Sequence, residues 1–243
     1  MSRPFILIQS RPENEASDDE YQAFLKFGNL EPEQLHRVRV DAGEQPALNL
    51  DNYSGVIMGG GPANFAYDDS KKDAGQQRFE AYVLPLLKQI IAHDKPFLGA
   101  CLGVGALVST IGSKPSFDYS EAVGAVDIEL TNEGLHDDLA KDLPKSFKGF
   151  VGHKEGVKNP PAECVVLANS ETCVQMLRIG NNVYATQFHP ELDAEGLALR
   201  IGVYKHAGYF APEEADQLIA EARAQTITEP VKILKTFVEK YHS

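Results

Sequence analysis

A chain of 243 residues, 43% apolar and 24% charged, has ordinary globular composition and enough length to bury a sizeable core. Its net charge of −12, with no local Lys/Arg cluster, argues against a nucleic-acid surface. Cys101, Cys164 and Cys173 are an odd set without a CxxC pair, which speaks against a disulfide frame or a zinc site and fits a reducing, cytoplasmic setting.

The elements alternate in type along the first half. Phe5 to Ile8 reads as a buried first strand, too short for a signal peptide, and no stretch approaches a membrane span. Arg11 to Asp19 reads as a polar loop and Glu20 to Phe27 as the start of an amphipathic helix. His36 to Val40 alternates as a second strand, and Gly55 to Met58 forms a third that ends in Gly59-Gly60-Gly61-Pro62. Gln76 to His93 carries a helical stripe of Phe79, Val83, Leu86, Leu87, Ile90 and Ile91, with Pro85 expected to kink it or mark its true start. Phe97 to Ala100 is a strand leading into Cys101 and a small-residue helix. Strand–helix alternation of this kind predicts a parallel sheet covered on both faces. After about residue 120 the pattern turns β-rich, with strands expected at Ala122–Leu130, Phe147–Val151, Cys164–Ala168, Val174–Ile179 and Val183–Phe188. Asn181-Asn182 marks the last two as a hairpin. Asp193 to His206, Pro212 to Ala224 and Pro230 to Tyr241 read as three helices. No repeat or low-complexity linker divides the chain, so one domain over 1–243 is expected, with 192–243 as a helical C-terminal extension.

Two motifs carry chemistry. Gly99-Ala100-Cys101-Leu102-Gly103 sets a thiol on a tight strand-to-helix turn, where small residues two before and two after avoid the neighbouring backbone. The following helix aims its free N–H groups at the sulfur, so a thiolate is expected, and the Leu102 amide is placed to meet an oxyanion. His189-Pro190-Glu191 supplies an imidazole base and a carboxylate to orient it. Cys164 begins an apolar run and reads as core; Cys173 has no assigned role.

With the glycine loop upstream, these pieces resemble the class I (triad) glutamine amidotransferases, closest to the glutaminase domain of GMP synthase and its free-standing relatives. The resemblance runs from the first strand to the histidine motif and is weakest over the last two helices. It implies a flavodoxin-like, doubly wound, mostly parallel α/β sheet with an antiparallel extension. It implies Cys101 as nucleophile, His189 as base and Glu191 as its orienter, with Gly61, then Gly60, giving the second oxyanion amide. Glutamine would be hydrolysed to glutamate and ammonia through a γ-glutamyl thioester, with no metal or organic cofactor. Ammonia transfer would need a separate synthetase partner.

The chain departs from the family at the substrate. The family usually has a bulky residue and then Gln after Cys-Leu-Gly; here Val104 and Gly105 follow. The family often has Ser before the histidine of the next segment; here Gly152 precedes His153. Gly105, Gly152 and His153 are therefore carried as substrate-contact positions, with His153 outside the catalytic set. Gln175 stands as a replacement contact or as an ordinary strand residue, the latter preferred. Two alternatives stay open: a hydrolase of another γ-glutamyl compound, and a catalytically silent binding or regulatory protein on the same fold.

Overall fold

All five residues of β1 (Phe5–Gln9) are buried, and its alternate side chains enter two different cores. In the computed structural model, which describes residues 3–242, this strand lies inside a nine-stranded sheet with helices on both faces. Phe5 and Leu7 pack with Phe24 and Leu25 of α1 (Asn14–Gly28) and Phe237 of α6 (Pro230–Tyr241). Ile6 and Ile8 pack with Phe79, Val83 and Leu87 of α2 (Ala74–Ala92) and Leu107 of α3 (Leu102–Thr110). Each such fully buried apolar side chain contributes about 1.5–3 kcal/mol, so the two-faced pattern specifies the layering.

The strand order is β2-β1-β3-β4-β9-β8-β7-β5-β6. β2 (Leu35–Arg39), β1, β3 (Gly55–Met58), β4 (Phe97–Ala100) and β9 (Val183–Thr186) pair in parallel. β8 (Val174–Ile179), β7 (Cys164–Asn169), β5 (Glu121–Leu130) and β6 (Ser146–His153) continue the sheet through antiparallel pairs. β8 turns back into β9, which therefore enters the parallel half beside β4. The carboxyl ends of β1, β3, β4 and β9 share one edge, where open α/β sheets bind ligands. A third core of Phe150, Leu192, Leu197 and Ile201 seats α4 (Ala194–Val203) and α5 (Ala215–Arg223) beside that edge. Among the described residues no helix is long and apolar enough to cross a membrane.

Four expected boundaries move. The first helix starts at Asn14 instead of Glu20, because Ser17 and Glu20 are buried polar residues that interrupt the apolar stripe. α2 runs unbroken through Pro85; Pro85 and Ala81 are both exposed, so the carbonyl that proline leaves unpaired faces water. The last strand stops at Thr186, and Gln187 to His189 leave the sheet. The helix expected from Pro212 is a 3-10 turn, Pro212–Glu214, followed by α5.

Candidate active site

Cys101 joins β4 to α3 with φ 51° and ψ −85°, a strained backbone for a residue with a Cβ. A Cβ on Gly99 would lie 2.8 Å from the Gly103 backbone, which explains the small residues flanking the turn. Leu102 opens α3, so its N–H has no partner within the helix. Cys101 is half-buried as a residue, and Gln187 Nε2 lies 3.7 Å from its sulfur.

His189 follows the end of β9, and its Nδ1 donates to Glu191 Oε1 at 2.8 Å. Arg200, reaching back from α4, donates to the same oxygen at 2.9 Å. Glu191 is fully buried. Burial works against its charge, but the facing His189 and Arg200 outweigh it and hold the carboxyl well below the usual range. Burial also lowers His189, against the pull of Glu191. The expected thiolate is not what this environment favours. Burial pushes the Cys101 thiol up to about 12; Arg11 pulls it down, while Glu191 and Glu155 add to the rise. Desolvation is the largest cause of the rise. The resting pair is a neutral thiol beside a neutral imidazole.

The glycine loop closes over this pair. A Cβ on Gly60 would stand 2.7 Å from His189 Cε1, 2.6 Å from Arg11 Nη2 and 3.6 Å from Cys101 Cβ. The Gly60 N–H, however, donates to Glu20 Oε1 at 3.1 Å, so it is not free to meet an oxyanion. The Gly61 N–H has no intramolecular acceptor among the described residues. Glu20 also takes the Arg11 guanidinium at 2.8 Å, and Arg11 in turn donates to Tyr204 Oη at 3.2 Å. This buried Glu20–Arg11–Tyr204 chain ties the glycine loop to the end of α4.

Two cavities meet at Cys101. One, of about 60 Å³, runs past His189 and is walled by Val123, Val151, Leu197, Ile201, Tyr209 and Phe210. The other has the polar groups of His153, Glu155 and Gln187 in its lining, beside Leu102, Gly105 and Gly152. Glu155 is 7% exposed, and its oxygens accept from the Phe65 N–H at 3.0 Å and the Ala66 N–H at 2.6 Å. Burial raises its carboxyl to about 7, against those two backbone hydrogen bonds.

Both ring nitrogens of His153 are engaged, Nδ1 by the Glu155 carbonyl and Nε2 by Glu121, each at 2.8 Å, so neither is available to Cys101. Gln175 is fully buried and donates to Glu121 at 2.6 Å; it is an internal strand residue and lines neither cavity. Glu121, His153 and Cys173 bring ligand-type atoms within 4.8 Å of one another. The Glu121 carboxylate is already taken by His153, Ser170 and Gln175, so the group closes on itself and fixes the segment that carries Glu155. Cys164 is core, as expected.

Sequence reasoning missed Arg11, Glu20, Arg200, Tyr204, Glu155 and Gln187. Arg200 was the easiest to find, nine residues after Glu191 on the next helix. Nothing local marked Arg11 or Glu20, which lie in a polar stretch that reads as loop and solvated helix face.

Residues 26–197 match the family described as Glutamine amidotransferase class-I. The chain belongs to that family. A GMP synthase [glutamine-hydrolyzing] of Borrelia garinii subsp. bavariensis is 27% identical over 183 residues, covering 75% of this chain and 31% of that protein. One GMP synthase [glutamine-hydrolyzing] subunit from Ignicoccus hospitalis is 35% identical over 143 residues, covering 56% of this chain and 66% of that one. The match thus spans under a third of the first relative and just under two thirds of the second. A glutamine amidotransferase of Thermotoga maritima shares the fold at TM-score 0.75 and 19% identity, covering 98% of both chains. One from Methylobacillus flagellatus does so at TM-score 0.70 and 18% identity, over all of this chain and 96% of that one. The likeness in fold therefore takes in the C-terminal helices.

Proposed function

We propose that this chain hydrolyses the side-chain amide of glutamine, with Cys101 as nucleophile, His189 as base and acid, and Glu191 as its orienter. The observation that carries the reading is the convergence at Gly60, where the loop backbone lies against both the Cys101 Cβ and the His189 ring. As Cys101 attacks the amide carbon, its proton passes to His189 and a tetrahedral oxyanion forms. The free amides of Leu102 and Gly61 meet that oxyanion. His189 returns the proton to the departing nitrogen, the C–N bond breaks, and ammonia leaves a γ-glutamyl thioester. Water, deprotonated by His189, then attacks the thioester; the C–S bond breaks, glutamate leaves, and the sulfur recovers its proton. Because the thiol rests protonated, its proton is transferred during attack, and the orientation supplied by Glu191 and Arg200 matters correspondingly more.

Residues 1–243 are read as one unit in which segment 192–243 walls the site through Tyr204, Tyr209 and Phe210. The Ignicoccus relative is named as one subunit of a GMP synthase, which supports a division of labour in which ammonia passes to a separate synthetase chain. Three free cysteines support a reducing, cytoplasmic setting.

The test is ammonia and glutamate release from glutamine by the purified chain, with Cys101→Ser as the blank. Equimolar products from the wild type alone are expected; products at the blank's level in both would refute the reading. The cavity past His189, where Val123, Val151, Leu197 and Ile201 stand beside Arg11 and Arg200, favours a second reading, a γ-glutamyl amide whose nitrogen carries a small apolar substituent. Against the roughly 150 Å³ cavity that accepts benzene, its volume of about 60 Å³ suits two or three heavy atoms. γ-Glutamylmethylamide and γ-glutamylethylamide, assayed beside glutamine, separate the two readings.

A further inference from the structure

We propose that residues 205–211 form a lid over the nucleophile, that Lys154 latches it, and that a γ-glutamyl amide reaches Cys101 only when Tyr209 swings out. The proposal rests on Cys101 as the nucleophile and adds how substrate is admitted to it. The two cavities that meet at Cys101 measure about 60 and 20 Å³. Benzene needs a cavity of roughly 150 Å³, and glutamine is larger than benzene. Besides Cys101, the described residues that border both cavities are Gly61, Gly152 and Tyr209. Tyr209 therefore brings the one side chain, apart from the nucleophile's own, that divides the space in front of the sulfur. Moving that ring away merges the two cavities.

The segment that carries Tyr209 is lightly held. It follows the end of α4, and its His206, Ala207 and Gly208 are exposed. Gly208 has φ 73°, a turn that a side chain would strain. Among the described residues, only Lys154 sends a hydrogen bond into 205–211 from outside 202–214: its Nζ donates to the Ala207 carbonyl at 2.9 Å. The same ammonium stands 4.4 Å from the Tyr209 ring centroid, so one charge grips both the backbone and the ring. The latch has a rigid seat, because the neighbouring His153 is bonded at one ring nitrogen to the Glu155 carbonyl and at the other to Glu121. Past Tyr209, Phe210 packs on the third core and anchors the far end. A solvent-facing hydrogen bond and a cation over a ring break at far lower cost than the fold, so the segment opens while the rest stands.

The test is the rate of Cys101 alkylation, read by peptide mass mapping, with iodoacetamide and with the much larger fluorescein maleimide, each relative to its rate on free cysteine. In the wild type the large reagent should be held back far more than the small one. Lys154→Met should raise the large reagent's rate by about 5- to 70-fold, the combined range for one hydrogen bond and one exposed cation–π contact, and change the iodoacetamide rate less than about threefold. Tyr209→Ala should act in the same direction from the other end of the contact. Lys154→Arg, which keeps the charge, should stay near the wild type. A wild type that takes both reagents alike has no lid. Equal changes with both reagents would show that Lys154 acts on the thiol and not on access, and a large-reagent rate unmoved in both variants would show that the segment holds nothing shut. Each of these three outcomes overturns the proposal. None of the measurements needs turnover, so if labelling runs as expected and no ammonia leaves glutamine, it is the hydrolase reading that fails and the lid that stands.

Discussion

On one side of Cys101, His189, Glu191 and Arg200 form a closed chain in which two nitrogen donors share one buried carboxylate oxygen at 2.8 and 2.9 Å. On the other side, Glu155 is also buried, at 7% exposed, but its side chain meets only backbone N–H groups. The charges differ accordingly: Glu191 is held far below the usual carboxylate range, whereas Glu155 rises to about 7. Both are buried, so burial cannot be what separates them; the presence of a cation is. The first side can work on the reaction in every turnover without outside help. The second holds a carboxylate that no Lys, Arg or His among the described residues pairs in a salt bridge.

The sharpest break falls on the nucleophile. Cys101→Ser should lower turnover by about 10⁴-fold or more while leaving the melting temperature near that of the wild type, since a hydroxyl fits the same turn. Next is the closed chain. His189→Ala should cost ~10²–10⁴-fold in kcat, the span for general acid–base catalysis. Glu191→Gln takes from Arg200 the nearer of its two buried carboxylate partners, leaving Glu20 at 4.0 Å. It should destabilise the fold by about 3–5 kcal/mol, read as a lowered denaturant midpoint. Glu191→Gln with unchanged stability would mean that Arg200 is not anchored there. Gly60→Ala should then lower kcat by ~10²-fold with little change in KM, because its methyl pushes on the His189 ring and leaves the polar cavity alone.

The smallest effect is in pH. Burial places His189 below its ordinary 6.5, so the neutral base persists under acid conditions and the acid limb of kcat/KM lies below 6.5. The same shift lets the unfolded chain take up a proton near pH 6.5 that the folded chain refuses. Its share of stability is therefore present above that pH and lost as pH falls toward the lowered value. Because the thiol sits near 12, alkylation of Cys101 by iodoacetamide should keep rising past about pH 9. A plateau near pH 7 would instead restore the thiolate expected from the helix end.

Legibility in the sequence divides along similar lines. The elbow, the glycine loop and the histidine triplet could be read because each is contiguous and each follows a strand. Phe5 to Ile8 could be placed because a strand buried on both faces is apolar throughout. Arg11 and Glu20 could not, since a charged residue facing a buried partner looks the same in sequence as one facing water. The absence at Gly105 was visible, but its filling was not. Glu155 lies fifty residues downstream, and only the return of β6 to the sheet edge brings them together. The thiol failed for a different reason. A helix end is local and readable, whereas the burial that raises the thiol is a property of the whole fold.

The most direct measurement is acid-quench mass spectrometry of the chain mixed with glutamine, followed by peptide mapping. A γ-glutamyl adduct confined to the peptide containing Cys101, absent in Cys101→Ala and accumulating in Glu191→Gln, is the predicted result. Glutamine turnover with no adduct on Cys101, or an adduct on Cys164 or Cys173, would contradict the account.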